Sequence, residues 1–154
     1  MKDELRAIRK EDLWALKLIL DSIDLFPSAM LEEMIYDYFH NPESEDIWFT
    51  KTINDLPVSI GYCAPEKLTD GTYNLYAIGV HKEHQRTGIG SEMMTYIEDY
   101  LSSLSTRILI VETSSDSQYK STRQFYLSLG YTREAIISDF WKAGEDKIVF
   151  WKKL

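Results

Sequence analysis

Cysteine is almost absent. Cys63 is the only one in 154 residues, so no disulfide can form within the chain. That agrees with a reducing compartment. No apolar run approaches the ~20 residues of a membrane span. Met1-Lys2-Asp3-Glu4 lacks the basic-then-apolar pattern of a secretory signal. The expectation is a soluble cytoplasmic protein without a membrane partner. Basic residues are also scarce: 17 Lys and Arg stand against 25 Asp and Glu, a net charge of −8. A phosphate backbone needs a basic face, so nucleic acid is not an expected partner. The acidic balance draws cationic substrates, such as polyamines or aminoglycosides, and also serves plain solubility. There is no repeat, low-complexity tract or Pro/Gly/Ser-rich linker, so residues 1–154 are expected to form one domain. His81-x-x-His84 has no Cys or carboxylate cluster to complete a metal site, and no metal is expected. Cys63 has no positioned base beside it in sequence and reads as core filler.

Apolar material is plentiful: 44% of residues are hydrophobic and 13% aromatic, enough for a core. Leu5–Ile8 reads as a first strand. A helix follows over about 11–21, with Leu13, Leu16, Leu20 and Ile23 on one face. Leu25-Phe26-Pro27 interrupts, and Ser28 is placed to cap a second helix bearing Leu31, Met34, Ile35 and Tyr38. Two strands, 46–53 and 58–64, flank Asn54-Asp55-Leu56-Pro57 as a hairpin. A strongly apolar strand at 73–80 belongs at the sheet centre. A helix starts near Gly88, with Ile89, Met93, Ile97, Leu101 and Leu104 on one stripe. Strand 107–113, a short helix at 122–129 ended by Gly130, and strands 131–137 and 147–152 complete the chain. The order β-α-α-β-β-β-α-β-α-β-β implies an α+β domain with helices on both faces of a mixed sheet.

The informative stretch is Tyr73 to Ser91. A strand runs through His81-Lys82-Glu83-His84 into Gln85-Arg86-Thr87-Gly88-Ile89-Gly90-Ser91 and then into the amphipathic helix. Two glycines let the backbone approach a ligand closely. The unpaired amides and the dipole at the start of the helix favour an anion, so a phosphate or pyrophosphate is predicted there. A tight turn with no ligand is the plainer alternative. A P-loop needs Gly-Lys-Ser/Thr, whereas Gly90 is followed by Ser91-Glu92. A dinucleotide fingerprint needs a small residue where Met93 stands.

Gln85-x-x-Gly88-x-Gly90 resembles the pyrophosphate-binding motif of the GCN5-related N-acetyltransferases (GNAT family). Phe125-Tyr126-Leu127-Ser128-Leu129-Gly130-Tyr131 resembles that family's second motif. The resemblance extends over nearly the whole chain. It implies a mixed, mostly antiparallel sheet splayed between the fourth and fifth strands, here 73–80 and 107–113. It also implies an acyltransferase that uses acetyl-coenzyme A as cosubstrate. The pantetheine arm would bond to the backbones of Ile78 and Val80. The pyrophosphate would lie on Gln85, Arg86, Thr87, Gly88, Ile89, Gly90 and Ser91, with Tyr119 and Tyr126 also at the coenzyme.

The implied chemistry is direct attack of a neutral amine on a thioester. A backbone N–H near Ile78–Val80 would support the oxyanion. Tyr126 would protonate the departing thiolate, since tyrosine's ordinary pKa of about 10 keeps it protonated near neutrality. Phe125 and Leu129 would form the core stripe of that helix and turn Tyr126 away from it. Simple packing of Tyr126 is the other reading. Two positions depart from the family pattern: Tyr119 stands where many members have Asn, and the strand Asn74-Leu75-Tyr76-Ala77-Ile78 lacks the usual carboxylate. Glu112 is the substitute base by topology, or else a structural partner; Asp139 is a further candidate.

In this family the acceptor is set by the loop between the first helices and by the last hairpin, here Asp24-Leu25-Phe26-Pro27 and Ser138-Asp139-Phe140-Trp141. Phe26, Phe140 and Trp141 would line its pocket or simply pack, and Asp24 and Asp139 would attract an ammonium. A small primary amine is the expected acceptor; a protein or peptide amine, or a sensor that binds acyl-coenzyme A without turnover, is the alternative. Dimers are common in such families, so a homodimer is allowed, though no interface can be read from the residues.

Overall fold

The computed structural model describes residues 2–154. Its sheet has the order β1-β2-β4-β5-β6-β8-β7, with β3 paired to β2. The strands are β1 (Leu5–Ala7), β2 (Ile47–Ile53), β3 (Leu56–Pro57), β4 (Ser59–Pro65), β5 (Thr72–Val80), β6 (Ile108–Ser114), β7 (Thr132–Lys142) and β8 (Glu145–Lys153). The helices are α1 (Leu13–Ser22), α2 (Leu31–His40), α3 (Ile89–Ser103) and α4 (Lys120–Ser128). All strand pairs are antiparallel except β5 with β6. The predicted element order is observed, with the two-residue β3 added inside the first hairpin.

Period-two alternation separates two cores. On β2, Trp48 faces α1 and α2, where it packs with Leu16, Ile19, Leu31, Ile35 and Ile60. Its neighbour Phe49 faces the other way, into the cluster of Met93, Ile97, Leu101 and Phe150. Cys63 is fully buried in this second cluster, and burial raises its thiol pKa, which suits filler rather than a nucleophile. Helices therefore cover both faces, α1 and α2 on one and α3 on the other.

Local differences from the sequence reading have physical causes. Ser28 does not cap α2; it opens a short 3-10 turn, Ser28–Met30, and its side chain makes no cap bond. Ser138–Trp141 is not the hairpin tip. The strand continues through it, with a register shift between Ile137 and Lys142, and the turn is made at Ala143-Gly144, where Gly144 takes φ +84. Among the described residues, no helix is long and apolar enough to cross a membrane.

Candidate active site

The site begins where two parallel strands part. β5 and β6 stay in register from Thr72↔Ile108 to Leu75↔Val111 and then separate. One reason lies in β5 itself: Leu75 faces Cys63 and Ala77 faces Tyr62, so Tyr76 is an extra residue, a β-bulge. A bulge bends the strand and increases its twist. The result is a cleft of about 630 Å³.

The far part of β5 remains paired with β4 on one side, through Ile78↔Gly61 and Val80↔Ser59. His81 N–H donates to the Val58 carbonyl at 2.8 Å. Antiparallel alternation then turns the backbone groups of Ile78 and Val80 away from β4 and toward the cleft. The Val80 carbonyl accepts a bond from Gln85 Nε2 at 3.1 Å. The loop between α1 and α2 closes one wall with Ile23, Asp24 and Leu25. It can approach because Gly79 has no side chain: a Cβ there would lie 2.5 Å from Ile23 Cδ1.

At the end of β5 the chain makes a 3-10 turn, Lys82–His84, with His81 Nδ1 accepting from Glu83 N–H. Arg86 and Gly88 both take positive φ, at 63° and 89°. A Cβ on Gly88 would meet nothing within 4 Å, so the loop faces open space. The first backbone bond of α3 runs from Glu92 N–H to the Gly88 carbonyl. The amides of Ile89, Gly90 and Ser91 precede it and have no partner within the helix. This is a cradle shaped for an anion, and the residues present fit a pyrophosphate.

The opposite wall comes from α4 and the turn before it, with Tyr119, Thr122 and Tyr126. The expected stripe of Phe125 and Leu129 is corrected here. Tyr126 is the buried residue of α4, at 2% exposure, while its two neighbours are partly buried. Its ring packs 5.7 Å from both Tyr131 and Phe150 and 5.3 Å from Phe125. It still reaches the cleft wall, and its hydroxyl makes no hydrogen bond among the described residues. Burial holds the phenol above its ordinary pKa. Arg123 ties α4 to the end of β6 by donating to the carbonyls of Ser114 (2.7 Å) and Asp116 (2.8 Å).

The cleft thus gathers Ile78, Val80, Gln85, Glu112, Tyr119, Tyr126 and Trp141 from the sequence candidates. Trp141 Nε1 donates to the Thr113 carbonyl at 3.1 Å, which places its indole over the end of β6. Ile89 is buried at the start of α3, and Arg86, Thr87, Gly88 and Ser91 are exposed in the loop and first turn. The Thr87 hydroxyl is engaged by the His84 carbonyl. Three candidates lie outside the wall. Phe26 packs on the α1–α2 core. Phe140 lies under the Lys147 ammonium. Asp139 has φ 56 and accepts from Gly144 N–H, so its carboxylate organises the hairpin turn instead of facing the cleft.

Sequence reading missed Tyr76, Glu145 and Thr122 in the wall. Tyr76 sits on a bulge, which no residue pattern announced. The wall carries carboxylates of Asp24, Glu112 and Glu145 and no Lys or Arg side chain. Desolvation, then Asp24, Glu145 and Asp116, raise the pKa of Tyr119. Among the described residues no cluster of His, Cys, Asp and Glu could hold a metal ion.

Comparison with known proteins agrees with this geometry. The acetyltransferase (GNAT) domain family matches residues 44–133, more than half of the chain. No curated protein matches it in sequence. A solved structure from Desulfovibrio desulfuricans assigned to the GNAT family superposes with a TM-score of 0.91, at 25% identity and 99% coverage of both chains. The Escherichia coli ribosomal-protein-S18-alanine N-acetyltransferase superposes at 0.79, with 18% identity over 99% of this chain and 94% of that one. An aminoglycoside 6'-N-acetyltransferase in complex with coenzyme A superposes at 0.77, with 16% identity over 97% and 96%. The last two show a shared fold. Splayed strands, glycine loop and domain match together establish that the chain belongs to the GNAT family of acetyltransferases.

Proposed function

We propose that the chain, acting as one domain over residues 1–154, transfers an acetyl group from acetyl-coenzyme A to a primary amine of a small molecule, by direct attack in a ternary complex. One observation carries the reading: the open edge of β5, Gln85 at the entry to the glycine loop, and Tyr126 line a single cleft. Acetyl-coenzyme A supplies an activated thioester. The amides of the loop from Arg86 to Ser91 hold its pyrophosphate, and Ile78 and Val80 offer backbone groups to its pantetheine arm. Gln85 covers the Val80 carbonyl, so it must swing aside for that carbonyl to take part. A backbone N–H near Ile78 supports the oxyanion.

Tyr126 hands its proton to the departing sulfur; burial raises its pKa, so the phenol is protonated near neutrality. The attacking nitrogen must shed a proton before or as it bonds. Glu112, in the wall and ion-paired to Lys147, takes it through water. The three wall carboxylates suit a cationic acceptor that loses one proton on site.

The neighbours include enzymes whose names specify a small molecule and a ribosomal protein, so likeness alone does not choose between small and peptide acceptors. The basic-free wall favours a compact cation over a neutral peptide backbone. Retention of a phenol at Tyr126 argues against a sensor without turnover. A homodimer is part of this reading: β7 is an edge strand with exposed Ile136, Ile137, Phe140 and Trp141, and light scattering checks it.

The deciding experiment supplies acetyl-coenzyme A with a panel of small amines and peptides and follows thiol release. Steady release with small amines supports the proposal. Release with peptides alone moves the acceptor to protein. Tight coenzyme binding without release across the panel makes the chain a sensor.

A further inference from the structure

Behind Tyr76 of the cleft wall, and bonded to its hydroxyl, Glu66 is held in an arrangement that the transfer chemistry does not use. Asn74 Nδ2 donates to Glu66 Oε1 at 2.7 Å, and the Tyr76 hydroxyl donates to the same oxygen at 3.1 Å. Two donors on one oxygen fix the carboxylate plane and leave Oε2 free. No Lys or Arg pairs with Glu66 among the described residues, whereas Glu112 is matched by Lys147. The charge on Glu66 is therefore oriented but not neutralised.

The arrangement has a cost. Asn74 is 1% exposed, and its Oδ1 has no hydrogen-bond partner. A buried unsatisfied acceptor is destabilising, and native structures keep few of them. An apolar residue would serve a central strand better, unless the amide is there to aim Glu66. Tyr76 is 48% exposed, lines the cleft and stacks on Tyr62, which stacks on Trp48, with ring centroids 5.5 Å and 4.1 Å apart. The bulge is what turns Tyr76 to this place. Desolvation and then Glu66 push its phenol up to about 12, so it remains a donor to the carboxylate. An aimed carboxylate beside an aromatic face is what an ammonium group requires.

We infer that Glu66, aimed by Asn74 and Tyr76, is a subsite for a second cationic group on the acceptor, so the preferred substrate is a diamine or polyamine rather than a monoamine. The inference rests on the acetyl-transfer reading above and specifies its substrate. Distance along β5 fits it. Tyr76 stands two residues before Ile78 on the same strand, about 7 Å at strand rise, so an aliphatic spacer running along β5 joins the two sites. The reacting nitrogen lies near Ile78 as a free amine while the distal one stays protonated on Glu66.

The test compares cadaverine with pentylamine, which has the same carbon chain and a single amine, in acetyl-coenzyme A-dependent thiol release by the full chain. The expected kcat/KM for cadaverine is about tenfold higher, as one charge-assisted bond provides. In Glu66→Gln the ratio of the two falls to about one, mainly through the KM of the diamine. Tyr76→Phe keeps the ring, removes one of the two aiming donors, and lowers the ratio in the same direction by less; it serves if Glu66→Gln folds poorly. Equal use of both amines by the native chain, or an unchanged ratio in Glu66→Gln, overturns the subsite while leaving acetyl transfer intact. Failure to acetylate any small amine overturns the underlying reading, and the subsite with it.

Discussion

The Lys147 ammonium lies 2.5 Å from Glu112 Oε2 and 4.0 Å over the Phe140 ring, so the one carboxylate of β6 in the cleft has a partner from β8. In the antiparallel register Glu112 is opposite Val149 and Lys147 opposite Ser114, which makes the pair a diagonal cross-strand contact. The partnership fixes the carboxylate in place, which a base needs. Both side chains are largely shielded, at 26% and 12% exposure.

Glu112→Gln separates the two roles. Loss of a general base costs about 10²-fold or more in rate, and a base acting through water falls at the lower end. The expected outcome is a drop of about 10² in kcat/KM near neutral pH, checked by a pH–rate profile. The deficit narrows as pH rises, because the acceptor then arrives already deprotonated. An unchanged rate at neutral pH leaves Glu112 as the tether of Lys147 and nothing more.

Tyr126→Phe removes only a hydroxyl that bonds to no described residue and keeps the ring against Tyr131 and Phe150. Thermal stability should change by no more than about 1 kcal/mol. Turnover should fall by about 10²-fold while acetyl-coenzyme A affinity persists, because the proton is needed at the departing sulfur and not for binding. Calorimetric titration beside steady-state kinetics measures both. Full turnover in the variant would remove Tyr126 from the acid role.

Much of this was legible in the residues, for reasons particular to each. Ile89, Met93, Ile97 and Leu101 recur at helical spacing and are buried in α3, whereas Leu104, expected on the same stripe, is the C-cap just past the helix and is exposed. Gly88 and Gly90 sit at a strand–helix junction, where backbone freedom has local meaning. Other features depend on partners distant in sequence. The bulge at Tyr76 arises from the register with Tyr62 and Cys63, and a single strand does not display its register. The hydrophobicity of its neighbours alone places Tyr126 on the open side of its helix. The true direction was set by Tyr131 and Phe150, which α4 meets only after folding. Asp139 looked like an ammonium trap because its bond to Gly144 N–H belongs to a turn two residues later than expected.

Alkaline stability should expose the buried tyrosines. Burial, chiefly, raises Tyr62 and Tyr73 to about 12 and lifts Tyr126 further above its ordinary value. Below about pH 10 both the folded and unfolded chains keep these protons, so the contribution is fully present. Above it the unfolded chain releases them while the folded chain holds them. The folded state then binds more protons, and stability falls as pH rises toward 12. Thermal melts should show a Tm that is level up to about pH 9 and declines beyond about pH 10. In Tyr126→Phe the decline should be shallower. A level Tm through pH 11, on the order of one unit above the ordinary tyrosine value, contradicts the burial account.

Gly88 offers the sharpest check on where the coenzyme lies. Its φ of +89 is left-handed, and a Cβ there meets no atom within 4 Å. A side chain at 88 therefore clashes with nothing in the protein and projects into the space before the amides of Ile89, Gly90 and Ser91. Gly88→Trp costs about 1–2 kcal/mol in backbone strain, since an L side chain disfavours that φ. The fold should survive, with a lowered Tm. Acetyl-coenzyme A affinity should weaken at least about tenfold, because the indole fills the place where the pyrophosphate meets the helix start. Gly90→Ala is the matched control. Its Cβ would stand 3.4 Å from the Phe125 ring, an ordinary contact, and glycine at 90 needs no positive φ. Titration of coenzyme into both variants should separate them clearly. Equal affinities would place the pyrophosphate somewhere other than this loop.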